Sequence, residues 1–330
     1  MPVLDTLGRP LEALRVSVTD RCNLRCTYCM PRAAFAHHAF LGANQLLDFD
    51  EINQLCRVFV ELGVNKIRLT GGEPLLRPRL TELVEKLAAL PVELALSTNA
   101  LLLRGHAPEL HAAGLRRLNI SLDAIDDAVF GEMNGLGTPT RQVLEGIDEA
   151  ASRGFRLKVN MVVQRGVNEG QVLPMARHFA QRKIQLRFIE FMDVGNSNHW
   201  QRAEVFSGAE VLELLRDEFS LELQPGASSD TERRYRCART GAEFGFINSV
   251  TAPFCRGCNR LRLSADGRLF TCLFATTGHD LRGLLRGGAD SGEIAQEIGS
   301  IWQRRGDRYS ELRATTASAQ SKVEMSYIGG

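Results

Sequence analysis

No run among the 330 residues is apolar for long enough to cross a bilayer, so the chain is not read as a membrane-spanning protein. Neither sign of charge is in surplus. The 40 Lys and Arg against 39 Asp and Glu leave a net +1, which argues against a nucleic-acid or membrane-surface protein held by bulk charge. No repeat at solenoid period and no low-complexity tract is present. The start, Met1-Pro2-Val3-Leu4-Asp5, lacks the basic region and apolar run of a secretory signal, so a cytoplasmic location is expected. Eight cysteines without an export signal then point to metal binding or redox chemistry rather than disulfides. The length is enough for one large domain or two modest ones, each with a core.

Three of those cysteines fall within eight residues, Cys22-Asn23-Leu24-Arg25-Cys26-Thr27-Tyr28-Cys29, in a polar setting that does not look like core. Spacing Cys-x3-Cys-x2-Cys lets three thiolates close on one cluster without help from distant sequence. A cubane iron–sulfur cluster usually takes four thiolates, so three leave one iron open to a ligand. Zinc is the rival, with His37 or His38 as a fourth ligand. The spacing favours the cluster, and Cys-x3-Cys-x-aromatic-Cys resembles the signature of the radical S-adenosylmethionine (SAM) superfamily.

Strand-like and helix-like segments alternate from residue 14 to about 190, the pattern of a parallel α/β architecture. Strands are predicted at 14–19, 66–70, 92–98, 117–122, 156–163 and 185–190. Helices are predicted at 50–62 with Asp50 as N-cap, 78–90, 106–113, 126–133, 141–153 and 171–182. The strands alternate where strands covered on both faces should be continuously apolar. One parity is apolar: Val16 and Val18, Ile67 and Leu69, Leu118 and Ile120, Leu157 and Val159, Leu186 and Phe188. The other is polar and mostly basic, with Arg15, Lys66, Arg68, Arg117, Arg156, Lys158 and Arg187 matched only by Glu93 and Asp123. An ordinary eight-stranded barrel fills its interior with aliphatic side chains. A wider, incomplete barrel with a polar lumen is expected here, holding an anion. Arg117 and Arg156, at strand starts, are assigned to the solvated rim.

Polar groups cluster where strands end, the place a barrel builds its site. Gly71-Gly72-Glu73-Pro74 follows the second strand; the glycines admit close backbone approach, and a carboxylate beside them can hold an ammonium. Beyond residue 195 come a loop, a helix over 207–218 and a polar linker at 224–232. Then Cys255-Arg256-Gly257-Cys258 and Cys272 are joined by a predicted hairpin turning at Asp266-Gly267. Spacing alone leaves zinc, with Cys237 or His279 as fourth ligand, and a second cluster equally open. Cys56, on a helix's apolar stripe, is read as core.

These motifs together, with the tail Gly329-Gly330, resemble the GTP 3′,8-cyclase family of radical SAM enzymes over nearly the whole length. The resemblance implies an incomplete (β/α)6 TIM-like barrel over 1–223 and a C-terminal extension over 224–330 carrying a second 4Fe-4S cluster. It implies that Cys22, Cys26 and Cys29 hold the SAM-cleaving cluster, and Cys255, Cys258 and Cys272 the one that meets the purine. Tyr28, Gly72, Ser121 and Met192 would contact SAM. Arg15, Arg68, Thr98, Lys158, Arg260, Leu261 and Arg262 would contact GTP, and the tail would reach the active site. The implied reaction opens molybdenum cofactor biosynthesis: a 5′-deoxyadenosyl radical takes the C3′ hydrogen of GTP, and C3′ joins C8 to give 3′,8-cyclo-7,8-dihydro-GTP. Implied partners are a reductant such as flavodoxin or ferredoxin and the next enzyme, cyclic pyranopterin monophosphate synthase. The chain would be a monomer or homodimer, binding no nucleic acid or membrane. Another two-cluster radical SAM enzyme with a different anionic substrate is the alternative, and a zinc-binding scaffold a more distant one. Residues 31–47 match nothing in the family and receive no role.

Overall fold

Alternation of apolar and polar residues places six short strands where expected, and the computed structural model describes residues 2–226, 231–313 and 321–330. The strands are β1 (Ala13–Ser17), β2 (Lys66–Thr70), β3 (Glu93–Thr98), β4 (Arg117–Ser121), β5 (Arg156–Val163) and β6 (Gln185–Glu190). Each pairs in parallel with the next in chain order. The crossovers carry α1 (Phe49–Glu61), α2 (Leu80–Ala88), α3 (Leu103–Ala112), α4 (Asp127–Met133), α5 (Arg141–Ser152) and α6 (Val172–Arg182).

The apolar parity packs beneath these helices. Leu14, Val16, Ile67, Leu69, Leu118, Ile120, Val159 and Leu186 join one core with Ile52, Leu55, Val58 and Phe59 of α1. Burying each such side chain is worth about 1.5–3 kcal/mol, so this face fixes which parity turns inward. Cys56 is wholly buried there, as expected. The α1 N-cap is Asp48 rather than Asp50: its side chain accepts from the Glu51 N–H in a capping box, so the helix starts earlier.

The extension completes the sheet on both sides. After α7 (Gly208–Arg216) come β7 (Leu221–Leu223), β8 (Arg233–Cys237), β9 (Glu243–Ile247), β10 (Arg260–Leu263), β11 (Arg268–Phe270) and β12 (His279–Asp280). Among the described residues the order is β12-β11-β10-β1-β2-β3-β4-β5-β6-β9-β8-β7, which does not close on itself. Thus β10 lies parallel beside β1 and β9 parallel beside β6. The hairpin is present, with Gly267 at φ 82° in its turn. Part of the expected 224–232 linker, residues 227–230, lies outside the described residues. The chain ends through α8 (Leu281–Arg286), α9 (Ser291–Gln303), α10 (Tyr309–Leu312) and α11 (Met325–Ile328). Trp302 of α9 is completely buried, its indole donating to the Arg9 carbonyl at 3.0 Å. No helix is long and apolar enough to cross a membrane among the described residues.

Candidate active site

Beyond β1 the chain turns at Thr19 to Arg21 and enters the first cysteine loop. Gly71 and Gly72 lie flat on that turn: the Gly72 N–H donates to the Thr19 carbonyl and the Glu73 N–H to the Arg21 carbonyl, each at 2.7 Å. A Cβ on Gly71 would stand 2.4 Å from the Thr19 carbonyl oxygen, and one on Gly72 2.3 Å from that of Arg21. The double glycine therefore holds the strand end against the cysteine loop. Glu73 is not an open ammonium receptor. Its buried carboxylate accepts from Thr98 Oγ1 at 2.7 Å, the Asn99 N–H at 2.8 Å and the Leu75 N–H at 3.0 Å. Burial nevertheless pushes its pKa up to about 7.

The loop is held by its own hydrogen bonds. The Cys29 and Met30 N–H groups both donate to the Cys26 carbonyl, and Arg25 Nη1 donates to the Cys22 and Leu24 carbonyls. Tyr28 Oη donates to Asp123 Oδ2 at 2.8 Å, while Asp123 Oδ1 accepts from the Val162 N–H. That bond ties the loop to the end of β4, two residues past Ser121. Burial pushes Asp123 up to about 6. Burial also pushes Cys22 up to about 11 and raises Cys26 and Cys29, and each of those two feels the Cys22 charge. Three half-buried thiols within electrostatic reach of one another need a cation to ionise, which is the donor set a cluster requires. Among the described residues no three His, Cys, Asp or Glu converge closely enough for a single metal ion. A cubane, whose thiolates sit on different irons, does not need that convergence.

The lumen is more basic than the six strands alone suggest. Arg15 has Arg68 beside it on β2 and Arg262 beside it on β10, three guanidinium groups abreast on one face. Burial is the first cause of a lowered pKa at all three: the charges of Arg262 and Arg68 add to it at Arg15, those of Arg187 and Arg260 help bring Arg68 down to about 9, and that of Arg260 helps bring Arg262 down to about 10. Lys66, counted above with the lumen, instead stands exposed at the start of β2; Arg156 is likewise exposed, and Arg117 pairs with Glu93 at the rim. Leu261 alternates to the other face and is wholly buried in the core. Its side chain is thus removed from the lumen, whereas Arg260 and Arg262 stay on it. Thr98, buried beside Ile120 on the core parity of β3, donates to Glu73 and accepts from the Ala100 N–H.

Strand parity could not find the acid that answers these bases. Glu232, just before β8, accepts from Lys158 Nζ at 3.1 Å, Gln185 Nε2 at 3.3 Å and Arg187 Nη1 at 3.4 Å. Arg187 also donates to Asn119 Oδ1. Nothing in the polar stretch around Glu232 marks it, because only the β9–β8 pairing brings it over the lumen.

At the second cysteine set, two arginines from opposite ends of the chain hold the frame. Arg305 donates to Cys258 Sγ at 3.1 Å, the Cys258 carbonyl at 2.8 Å and the Thr271 carbonyl at 3.0 Å; Arg9 donates to the Cys255 carbonyl at 2.8 Å. Asp5 binds both, Arg9 at 2.6 Å and Arg305 at 3.1 Å, with its side chain fully buried. Burial alone would raise Cys258, but Arg260, Arg305 and their hydrogen bonds bring it down to about 6, while burial keeps Cys272 up at about 11. Neither proposed zinc partner fits this set. Cys237 is buried in the core on β8 at the far side of the sheet, and His279 is exposed on β12.

The tail enters from the open end. Asp193 accepts from Lys322 Nζ at 2.7 Å and from Arg313 Nε at 2.8 Å, and Glu324 accepts from Asn196 and Ser197. So anchored, the chain lays Gly329 and Gly330 in the lumen: Arg262 donates to the Gly329 carbonyl and Thr70 Oγ1 to Gly330 O at 3.4 Å. Met192 is half-buried at the same strand end, its carbonyl accepting from Asn198 Nδ2 at 3.0 Å.

An open parallel barrel with a three-thiol loop past its first strand defines the radical SAM class. The family model described as Radical SAM superfamily matches residues 16–179, and that described as Molybdenum Cofactor Synthesis C matches residues 184–311. Two curated proteins named GTP 3′,8-cyclase, from Staphylococcus aureus strains Mu3 and JH9, are each 45% identical over 336 residues, covering 99% of this chain and 99% of their own. The chain belongs to the GTP 3′,8-cyclase family. Among solved structures, Streptococcus suis SuiB bound to S-adenosylmethionine matches at a TM-score of 0.62 and 14% identity, over 94% of this chain and 69% of that one. At that identity the likeness shows the fold alone.

Proposed function

We infer that the chain is a radical SAM GTP 3′,8-cyclase that converts GTP to (8S)-3′,8-cyclo-7,8-dihydroguanosine 5′-triphosphate, the first step of molybdenum cofactor biosynthesis. Its cofactors are SAM and two 4Fe-4S clusters, which when bound supply the electron and the organic radical. Cys22, Cys26 and Cys29 would hold the first cluster, and Cys255, Cys258 and Cys272 the second. Family membership favours a cluster over zinc at the second set. Tyr28, Gly72, Ser121 and Met192 would contact SAM. For Gly72 the reason is close backbone approach; for Tyr28 it is the bond to Asp123 that fixes the loop.

The observation that carries the reading is the abreast set Arg262, Arg15 and Arg68. Like charges on neighbouring strands destabilise a sheet, so their retention calls for an anion of several charges. Arg15, Arg68, Lys158, Arg260 and Arg262 would grip the triphosphate, with Thr98 nearby; Leu261 would take part only through its backbone. Held by its phosphates at one end and by the second cysteine set at its base, the nucleotide presents its ribose to the first loop. Orientation of this kind is worth about 7–11 kcal/mol of the barrier. The division into a barrel over 1–223 and an extension over 224–330 fits this scheme, since β10, Glu232 and the tail all come from the extension. A reductant is needed, for which flavodoxin or ferredoxin is suited. Passage of product to cyclic pyranopterin monophosphate synthase, a cytoplasmic location and a monomer or homodimer complete the proposal.

The test is GTP binding to protein carrying both clusters. Lys158→Ala and Arg68→Ala each lose a charged hydrogen bond worth about 1.5–3 kcal/mol, so affinity should fall roughly 10- to 100-fold with iron content unchanged. Unchanged affinity in both variants would sink the lumen assignment. Cys258→Ala should lose the second cluster's iron while SAM cleavage persists.

A further inference from the structure

Residues 31–47 found no role in the family pattern, yet they form one wall of an open cleft at the first cysteine loop. The cleft, about 590 Å³, is lined by Cys22, Asn23, Arg25, Arg32, Phe35, Ala36, Gly135 and Leu136. It reaches Cys22, and neither a lumen arginine nor a residue of the tail lines it. From residue 21 to residue 47 the chain carries three arginines and two histidines, with no aspartate or glutamate. Arg21, Arg32, His37 and His38 are exposed. The basic groups are held in place by a small aromatic frame. Phe35 and His38 pack with ring centroids 4.7 Å apart, His38 and Phe40 at 4.9 Å, and Arg21 and Arg25 stand 5.8 and 5.7 Å from the Phe40 ring. Asp20, the adjacent acid, is buried and accepts from the Leu41 N–H, so it faces inward. Glu132 is exposed on α4 but does not line the cleft.

We propose that this cleft is the docking face for an acidic one-electron redox protein that reduces the first cluster. The proposal rests on the reading of Cys22, Cys26 and Cys29 given above. One electron leaves the donor's redox centre, which is oxidised, and enters the cluster, which is reduced; no bond or proton changes hands. The basic groups run from Arg21 and Arg25, which share the Phe40 ring, to Arg32 in the lining, and between them the lining carries Leu136, 47% exposed, and Ala36. A spread basic rim around an apolar patch suits a protein face better than a small anion. The segment is built of turns and a single short 3-10 helix, without the amphipathic helix that would lie on a lipid surface.

The experiment is anaerobic stopped-flow reduction of the holoenzyme, followed by bleaching of the cluster. A fully reduced acidic flavodoxin serves as the probe donor and photoreduced deazaflavin as a small neutral one. With flavodoxin, the rate should fall about tenfold as salt rises, and the Arg32→Glu, His37→Glu double variant should be slower by about tenfold at low salt. With deazaflavin the variant should match the wild type. Equal rates with flavodoxin in variant and wild type would overturn the proposal, as would equal slowing with both donors. Protection of the cleft by phosphatidylserine vesicles or a DNA duplex, but not by flavodoxin, would also overturn it. Wild-type protein that deazaflavin cannot reduce would instead overturn the reading of the cysteine loop.

Discussion

Arg15 sits between Arg68 and Arg262 on adjacent strands, about 4.8 Å from each strand axis. At an effective dielectric of about 20 such neighbours repel by at most about 3 kcal/mol per pair, which splaying of the side chains reduces. Stability given up here should return when an anion binds, so tripolyphosphate and GTP should both raise the melting temperature of the protein, and monovalent phosphate far less. Equal stabilisation by all three would contradict a built polyanion site. Glu73 makes a second test at this scale. Its pKa in the fold, about 7, exceeds the ordinary 4.5, so the folded state holds a proton the unfolded state has already lost, and stability falls as pH rises through that window. The loss is up to about 3 kcal/mol by pH 8, and Glu73→Gln should flatten the difference between melting curves at pH 5 and pH 8. Arg305→Gln removes the N–H groups that meet Cys258, and iron content should drop by roughly half if the second cluster is lost alone. Arg15, Arg68 and Arg187 were legible in the sequence because strand parity exposes them. Arg9, Asp5 and Arg305 were not, since each looks like an ordinary surface charge until the two chain ends meet.

At the scale of elements, the tail is the part whose position carries most. Gly329 has φ 77°, and a Cβ there would stand 2.3 Å from Thr70 Cγ2. Gly329→Ala should therefore displace the tail, weaken turnover with GTP and leave iron content intact; unchanged turnover would show that the tail is an ordinary chain end. The six barrel strands and the β10–β11 hairpin were readable from period-two alternation and from Asp266-Gly267 at the turn. The pairing of β10 with β1 and of β9 with β6 was not, because parallel partners distant in sequence leave no local mark. That pairing is also what brings Arg260, Arg262 and Glu232 to the lumen, so the site was legible in its parts and not in its closure. Residue 261 shows the same limit in reverse: a motif matched as a segment, while the strand sends its middle side chain to the core.

For the molecule as a whole, one sheet runs through both expected domains, and the N-terminal segment is tied to the connection between α9 and α10 through Asp5, Arg9 and Arg305. Unfolding by denaturant should then be a single transition seen alike by fluorescence and circular dichroism. Two separate transitions would mean that the extension is held only loosely. The central claim, that this lumen presents GTP to SAM at the first cysteine loop, is tested most directly by 5′-deoxyadenosine formation in anaerobic, reduced, iron-loaded protein. The account predicts strong stimulation by GTP over ATP or no nucleotide, with deuterium from C3′-labelled GTP recovered in the 5′-deoxyadenosine. Equal 5′-deoxyadenosine without GTP, or label that stays in the nucleotide, would contradict it.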